Sequence, residues 1–539
     1  MANKFKKIID RMMWVQLPLA PSAHAAGVCM TSDLRNDLSR NSFIYQLASA
    51  SALNRFNVVT KAWDTLVNPG LSPAIGAGAG IVMAPSFALQ GAIGTGSTTT
   101  NIQIGTAFPA AVGVNVLANR GGSGEYGFRI RIIGNNASGN GKTEERWIIG
   151  NTGGTQPIIY LDEALSNAPV NGNRYEILRG KLLLFSGGVM AAASFRSLDI
   201  CSNFLTSLSN VNLPSTVSTD FSGLALDEQY VPYDHKPGEG FVVGSSTYDG
   251  TSKRCLLATA IAAQSITGQA TNGDASVLQN EYRNFQIRIV EDTAIPTAVG
   301  QRRIIASHTA GASPVYTLGA AWGVQPSSNA KFVIEYPNLM VCWHTANNVT
   351  YTYNYTDAAI NNGTTNLANN AWSATYFGNR GGNMGAGCIS FPSFGIQPND
   401  AKNSRHSFIF SFRGGNVTTL DLLDIAGGAS GLWTNGIPYD GGSKTQTTGA
   451  CGRYAPCDNE GRFGYLNSYT ASMYNQIFRF DVKSRTLTPF VPTDWVQSGT
   501  AAVGDRLATY VAIDGSDKYT ILFLLAHTAV ICQELIVQV

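Results

Sequence analysis

The sequence predicts an all-β fold built from repeated four-stranded units. Three observations lead there. A short motif, one residue followed by Gly and a run of small or apolar residues, recurs six times along the 539 residues. Each copy is followed, directly or after an insertion, by an apolar segment of strand length. Glycine reaches 57 residues, about a tenth of the chain, while charged residues are only 13%, about half the ~25% of an average domain.

The six copies begin at Ala26-Gly27, Ala79-Gly80, Glu239-Gly240, Ala386-Gly387, Thr448-Gly449 and Val503-Gly504. The apolar second segments are Phe43-Ile44-Tyr45, Leu182 to Phe185, Leu339 to Trp343, Phe408 to Phe412, Phe463 to Leu466 and Tyr519 to Leu524. Two end in Gly-Gly, at Gly187-Gly188 and Gly414-Gly415. A third segment alternates, as in Gln476 to Asp481. A turn frame then follows, with Trp63 closing Phe56 to Trp63 and Leu487 closing Phe480 to Leu487. In that frame Asn or Asp and Thr or Ser bond local backbone groups and set the turn. Four strands per unit, led by glycine where first strands converge and backbones crowd, is the pattern of a β-propeller blade. The fold class expected is therefore a roughly six-bladed propeller.

These motifs resemble the kelch type of propeller, also found in galactose-oxidase-like domains. The resemblance implies a fourth strand at Trp14-Val15-Gln16-Leu17-Pro18. Because the chain ends at Ile531 to Val539 on a third-strand pattern without a partner, Trp14, Val15 and Leu17 are expected to complete the last blade and close the ring. The same N-terminus, with Lys4, Lys6 and Lys7 before Met12 to Ala20 and an Ala23-His24-Ala25 site, has the outline of a secretory signal. Asp10, Arg11, Gln16 and Pro18 interrupt its apolar core and argue against a cleaved signal.

Two blades are interrupted between first and second strands. The expected organisation is a propeller over 1–89, 181–254 and 337–539, with inserted β-modules over 90–180 and 255–336. The modules match each other: Phe128 to Ile132 with Phe285 to Ile289, Pro157 to Leu161 with Pro314 to Leu318, and Tyr175 to Ile177 with Phe332 to Ile334, all at one offset of 157 residues. Val116 to Asn119 also resembles Val277 to Asn280. Two such modules on adjacent blades would be a pair of arms on a rigid hub. Short β-modules of this kind, on propellers of low charge rich in Gly, Asn and Thr, resemble those of bacteriophage tail and neck proteins. That resemblance implies a virion structural protein.

The bulk numbers bound the chemistry. Lys and Arg total 37 and Asp and Glu 35, without the basic surplus of a dedicated nucleic-acid binder. Lys4 to Lys7 with Arg11 leave two readings open, a contact with nucleic acid or a capsid surface, or a solvated tail ordered on assembly. No stretch of about 18 apolar residues predicts a membrane-spanning helix. Eight cysteines form no CxxC pair, and six histidines form no HxH or HExxH pair, so no metal or other cofactor is expected. Cys451 and Cys457 could cross-link a short loop if oxidised. A copper-radical oxidase would draw on Cys451, Tyr454, His344 and His527, whose spacing does not support it. Asp220, Asp227, Glu228 and Asp234, near Tyr230, Tyr233 and His235, form a loop that could bind sugar or a cation, or simply join blades. Asn348, Asn354, Asn362 and Asn416 open Asn-x-Thr triplets, which carry little weight in a chain this rich in both residues.

The residues singled out for subunit contact are Arg129, Arg131, Arg288, Arg302 and Arg303. On a strand, Arg129 and Arg131 share a face and could meet an anionic partner, or form polar faces and hydrogen bonds of their own. The expected function is a non-enzymatic structural component of a bacteriophage tail, neck or baseplate, assembling with copies of itself and other virion proteins. A carbohydrate- or receptor-binding adhesin and a secreted kelch-type enzyme are the alternatives.

Overall fold

In the computed structural model the described residues are 14–21, 29–32, 43–48, 53–66, 75–84, 86–87, 89–118, 128–135, 141–178, 180–189, 194–200, 204–214, 216–217, 221–227, 256–270, 278–344, 347–385, 389–393, 408–415, 417–439, 451–454, 463–467, 477–482, 484–490, 507–514, 517–525 and 530–538. Among them the regular structure is β-strand, with no α-helix. Six four-stranded antiparallel sheets form the blades of a propeller. Blade I is Cys29–Ser32, Phe43–Leu47, Leu53–Asn57 and Ala62–Thr65. Blade II is Gly80–Ala84, Lys181–Phe185, Phe195–Asp199 and Phe204–Ser207. Blade III is Phe221–Leu226, Leu339–His344, Tyr351–Asn354 and Ala371–Ser373. Blade IV is Ile389–Ser393, Phe408–Phe412, Thr419–Asp424 and Leu432–Pro438. Blade V is Cys451–Tyr454, Phe463–Asn467, Ile477–Asp481 and Thr486–Phe490. Blade VI is Leu507–Asp514, Asp517–Leu525, Cys532–Gln538 and, from the other end of the chain, Val15–Leu17. The first strands of successive blades touch in the cyclic order I to VI and back to I.

Five of the six glycine motifs lead into a first strand. At Gly80 the glycine answers to crowding: a Cβ there would overlap the Phe221 ring of the neighbouring first strand. The copy at Glu239-Gly240 lies outside the described residues. Blade III takes its first strand earlier, from Phe221–Leu226, where glycine stands inside the strand at Gly223.

The turn frame holds in both places named for it. Asn57 Oδ1 accepts from the Val59 and Thr60 amides at 2.9 and 3.0 Å, and Lys61 turns left-handed at φ 55°. Asp481 Oδ1 accepts from Ser484, and Arg485 has φ 57°. Both anions or amides cap the turn that reverses the third strand into the fourth. Trp63 then packs on Phe523 of blade VI, with ring centroids 6.0 Å apart.

Between first and second strands of blades II and III the chain makes two further closed sheets of six short strands. The first runs Leu89–Ala92, Arg174–Leu178, Arg129–Asn135, Lys142–Asn151, Ile158–Leu161, Asn101–Gln103, and an Ile93–Ile104 bridge returns it to its start. The second runs Leu256–Ala262, Lys331–Glu335, Gln286–Glu291, Arg302–His308, Val315–Leu318, Ser265–Gly268 and back to Leu256–Ala262. We call them the first and second barrels. Each is filled by alternating aliphatic side chains, Ile130, Ile132 and Ile148 in one and Ile287, Ile289 and Ile305 in the other.

The barrels are not separate arms. Lys142 of the first pairs with Glu291 of the second, so one sheet runs into the other. Gly141, at φ 54°, makes this possible, because a Cβ there would overlap the Asp292 carbonyl.

The internal match also needs one correction. The Asn115 amide donates to the Asn151 carbonyl, and Asn115 Oδ1 accepts from the Asn151 amide. Asn280 makes the same two bonds with His308. Both asparagines are left-handed, at φ 58° and 61°. The partner of Asn280 is therefore Asn115 and not Asn119, and the first barrel has eight more residues before Phe128.

Candidate functional site

The densest polar chemistry lies where the two barrels meet blade III. Inward aliphatics of the first barrel alternate with outward Arg129 and Arg131, and Arg302 of the second barrel shares the Glu176 carboxylate with Arg131. Seven side chains alternate in charge across this joint. Arg129 Nη1 lies 3.4 Å from Glu145 Oε2, and Arg131 Nε donates to Glu145 Oε1 at 2.8 Å. Arg131 Nη1 donates to Glu176 Oε2 at 2.8 Å. Arg302, from the second barrel, grips both oxygens of Glu176 at 3.2 Å and lies 3.7 Å from Asp357. Asp357, in the propeller, accepts from Arg174 at 3.0 Å. Arg129, Arg131, Glu145, Glu176 and Arg302 are buried. Buried charges of this kind are tolerated only when paired. The network thus joins three parts of the chain through groups that need one another.

Of the five arginines singled out in the sequence, four are buried between strands of this chain. Arg288 makes a two-pronged pair with Glu335, at 2.9 and 3.0 Å. Arg303 is half-buried, donating to the Ala321 carbonyl at 2.7 Å and lying over the Trp322 ring. Burial lowers its pKa, an effect that Asp357 partly opposes. The charges of the four buried arginines face this chain's own carboxylates. Sequence reasoning found the shared face of Arg129 and Arg131 but missed Glu145, Glu176 and Asp357. One signal was available: at the 157-residue offset Glu145 falls on Arg302, an exchange of charge between two otherwise similar modules.

Beside the network, between blades II and III and both barrels, is a polar cavity of ≈ 50 Å³ lined by Phe87, Glu176, Arg302, Asn338, Tyr355 and Asp357, among others. One water requires about 10–15 Å³, so the cavity has room for a few waters and not for a sugar ring. Asp227 lies nearby, fully buried. It accepts from the Ser86 amide and hydroxyl at 2.9 and 2.5 Å and from the Tyr355 hydroxyl at 2.7 Å. That fastens blade II to blade III. The other acidic residues of its predicted loop lie outside the described residues.

The remaining candidates are dispersed. His344 is buried in blade III, with Asn347 donating to its Nε2 at 2.9 Å. His308 Nε2 accepts the Tyr282 amide at 2.9 Å, which leaves the proton on Nδ1, directed at the Thr309 carbonyl. Cys29, Cys342 and Cys532 are buried and form no disulfide. Burial raises the Cys342 pKa and pushes Cys532 up to about 12, so neither is a ready nucleophile. His527, Cys457 and the side chains of Cys451 and Tyr454 lie outside the described residues. Among the described residues no group of three His, Cys, Asp or Glu side chains could hold a metal ion, and no helix is long and apolar enough to cross a membrane.

No protein-family model matches the chain, and no curated protein matches it significantly. One solved structure to which it aligns is a structural-genomics protein of unknown function from Bacteroides thetaiotaomicron VPI-5482. The alignment covers 76% of this chain and 90% of that one, at 7% identity and a TM-score of 0.22. A likeness at that level carries no argument about fold or function.

Proposed function

We propose that this propeller, kelch-like in its glycine-led first strands, is a structural subunit of a bacteriophage virion, in the tail, neck or baseplate, and that it works by contact with copies of itself and with other virion proteins. The observation that carries the reading is the charge network from Arg129 to Arg174. Two barrels and the hub are joined by buried ion pairs, an arrangement suited to passing load between neighbours.

Composition supports the same reading. Eighteen charged side chains are buried among the described residues, about a quarter of the chain's 37 basic and 35 acidic residues. With so low a total, few charged side chains are left for the surface, as expected where neighbours cover it. The polar cavity, too small for a sugar ring, does not favour the adhesin.

The test is fractionation of purified particles with quantitative mass spectrometry. The protein should co-purify at a fixed, integral copy number per particle. Recovery only as free chain in the lysate, with none in particles, would overturn the proposal.

A further inference from the structure

Seven residues at the start of the described chain touch three blades. Trp14 is buried in a cluster with Tyr465 and Ile477 of blade V and Leu522 and Leu535 of blade VI. Val15, Gln16 and Leu17 pair antiparallel with Glu534, Gln533 and Cys532. The Pro18 carbonyl accepts from Trp63 Nε1 of blade I at 3.2 Å. The Ala20 amide donates to the Val530 carbonyl at 2.7 Å. Leu17 and Ala20 join the cluster of Ile44, Phe56 and Phe523 at the seam between blades VI and I.

This is how an extended peptide sits on a sheet edge: main-chain bonds hold it, and side chains on its two faces fill sockets, Trp14 between blades V and VI and Leu17 between blades VI and I. The pattern is buried Trp14, exposed Gln16, buried Leu17 and exposed Leu19. We propose that the outer edge of Cys532–Gln538, with the sockets for Trp14 and Leu17, is a strand-acceptor site that the N-terminal strap of a second copy of this chain can occupy.

These contacts of residues 14–20 are with blades V, VI and I, so a strap from another copy can make them equally. Only the tether differs. Eleven residues separate Leu17 from Cys29, a reach of about 36 Å when extended. A short tether supplies an effective concentration in the millimolar range, so the chain's own strap holds the site in dilute solution. Exchange between copies is a low-cost route to association once neighbours are crowded together. The site would act alike in any dense assembly, virion or not.

Gln16 and Gln533 are directly opposed, at a separation that suits a disulfide. Two full-length proteins, one with Gln16→Cys and one with Gln533→Cys, would be concentrated together, warmed briefly and oxidised. A covalent heterodimer, several-fold above the level of either variant alone, is expected to rise with concentration. The double variant, which should close on itself, is the control for folding and reactivity. Full closure of the double variant with no heterodimer at any concentration would overturn the proposal. A second measurement keeps the test open if warming aggregates the variants. With a protease site placed after Ser22, the folded chain would be cut and offered a labelled peptide covering Met12 to Ser22. Capture of one peptide per chain is expected, at least 10-fold weaker for the Trp14→Ala, Leu17→Asp peptide. Equal capture of both peptides, or none by a cut chain that still melts cooperatively, would count against an acceptor site.

Discussion

At residue 145 the first barrel carries glutamate, and at the equivalent residue 302 the second carries arginine. Asp162 of the first is Gly319 in the second, Ile149 is Ala306, and Asn151 is His308. Strand order and the Asn115 and Asn280 turns are the same. The difference lies in what each barrel touches. Ala306 and Gly319 leave room for the Ile360–Asn361 and Asn366–Leu367 hairpin of blade III: a Cβ at Gly319 would fall on the Asn361 carbonyl, and one at Gly363 would lie 3.4 Å from Ala306. In the first barrel Ile149 is 52% exposed, and Asp162 bonds the Trp147 amide at 3.0 Å. One framework thus serves as a docked support in the second position and an open one in the first, and Ile149/Ala306 and Asp162/Gly319 differ where the second barrel meets the hairpin.

The arginine is common to both, and its acid has moved. Arg131 and Arg288 are equivalent, but Arg131 uses Glu176, directly opposite, while Arg288 uses Glu335, two residues along the same face. Glu176 can therefore also take Arg302 from the other barrel, whereas Glu335 serves within its own. Glu176→Gln should be the most damaging change, because it leaves two buried guanidinium groups short of charge. A loss of about 3–5 kcal/mol is expected, read by denaturant unfolding. Glu335→Gln should cost less and leave the joint intact, with hydrogen exchange rising only in the second barrel. Equal losses would mean that Glu176 does not join the barrels.

Gly319→Asp gives the second barrel the first barrel's residue. It should displace the blade III hairpin and cost about 1–3 kcal/mol, as overpacking does. The reverse change, Asp162→Gly, removes a cap and should cost about 1 kcal/mol. Thermal melts of the pair test whether these positions are contact-specific. Next come the left-handed asparagines. Asn115→Ala and Asn280→Ala should each cost about 1–2 kcal/mol, from the left-handed backbone and a lost side-chain bond.

The asparagine turns mark how far the sequence can be read. All six second strands were legible, because Leu182 to Phe185 or Phe408 to Phe412 are apolar runs that only a buried strand accommodates. Blade III's first strand was missed because Gly223 lies inside Phe221–Leu226, not ahead of it. The match of Val116 with Val277 failed because apolar identity says nothing of turn geometry, whereas the left-handed asparagine does. Arg129 and Arg131 were seen to share a face, but strand periodicity cannot say what covers it. The second barrel reaches it through Arg302, which shares Glu176 with Arg131, a contact that depends on the placement of two distant insertions.

The smallest effect expected is also the most specific. Asn151 Oδ1 accepts the Leu117 amide at 2.9 Å, and His308 Nε2 accepts the equivalent Tyr282 amide at 2.9 Å. Burial holds His308 below the usual 6.5; the Thr309 carbonyl opposes this, and Arg283 adds to it. The folded chain then binds fewer protons here than the unfolded chain. The resulting stability is complete above about pH 6.5 and is lost as pH falls toward the folded-state value, at no more than about 1.4 kcal/mol per pH unit. His308→Asn imports the first barrel's solution, with a side-chain oxygen in place of the ring nitrogen. At pH 7.5 it should change stability by less than about 1 kcal/mol. Between pH 6.5 and 5 it should lose stability less steeply than the parent. Parallel curves from denaturant titrations across that range would show that His308 does not govern acid stability.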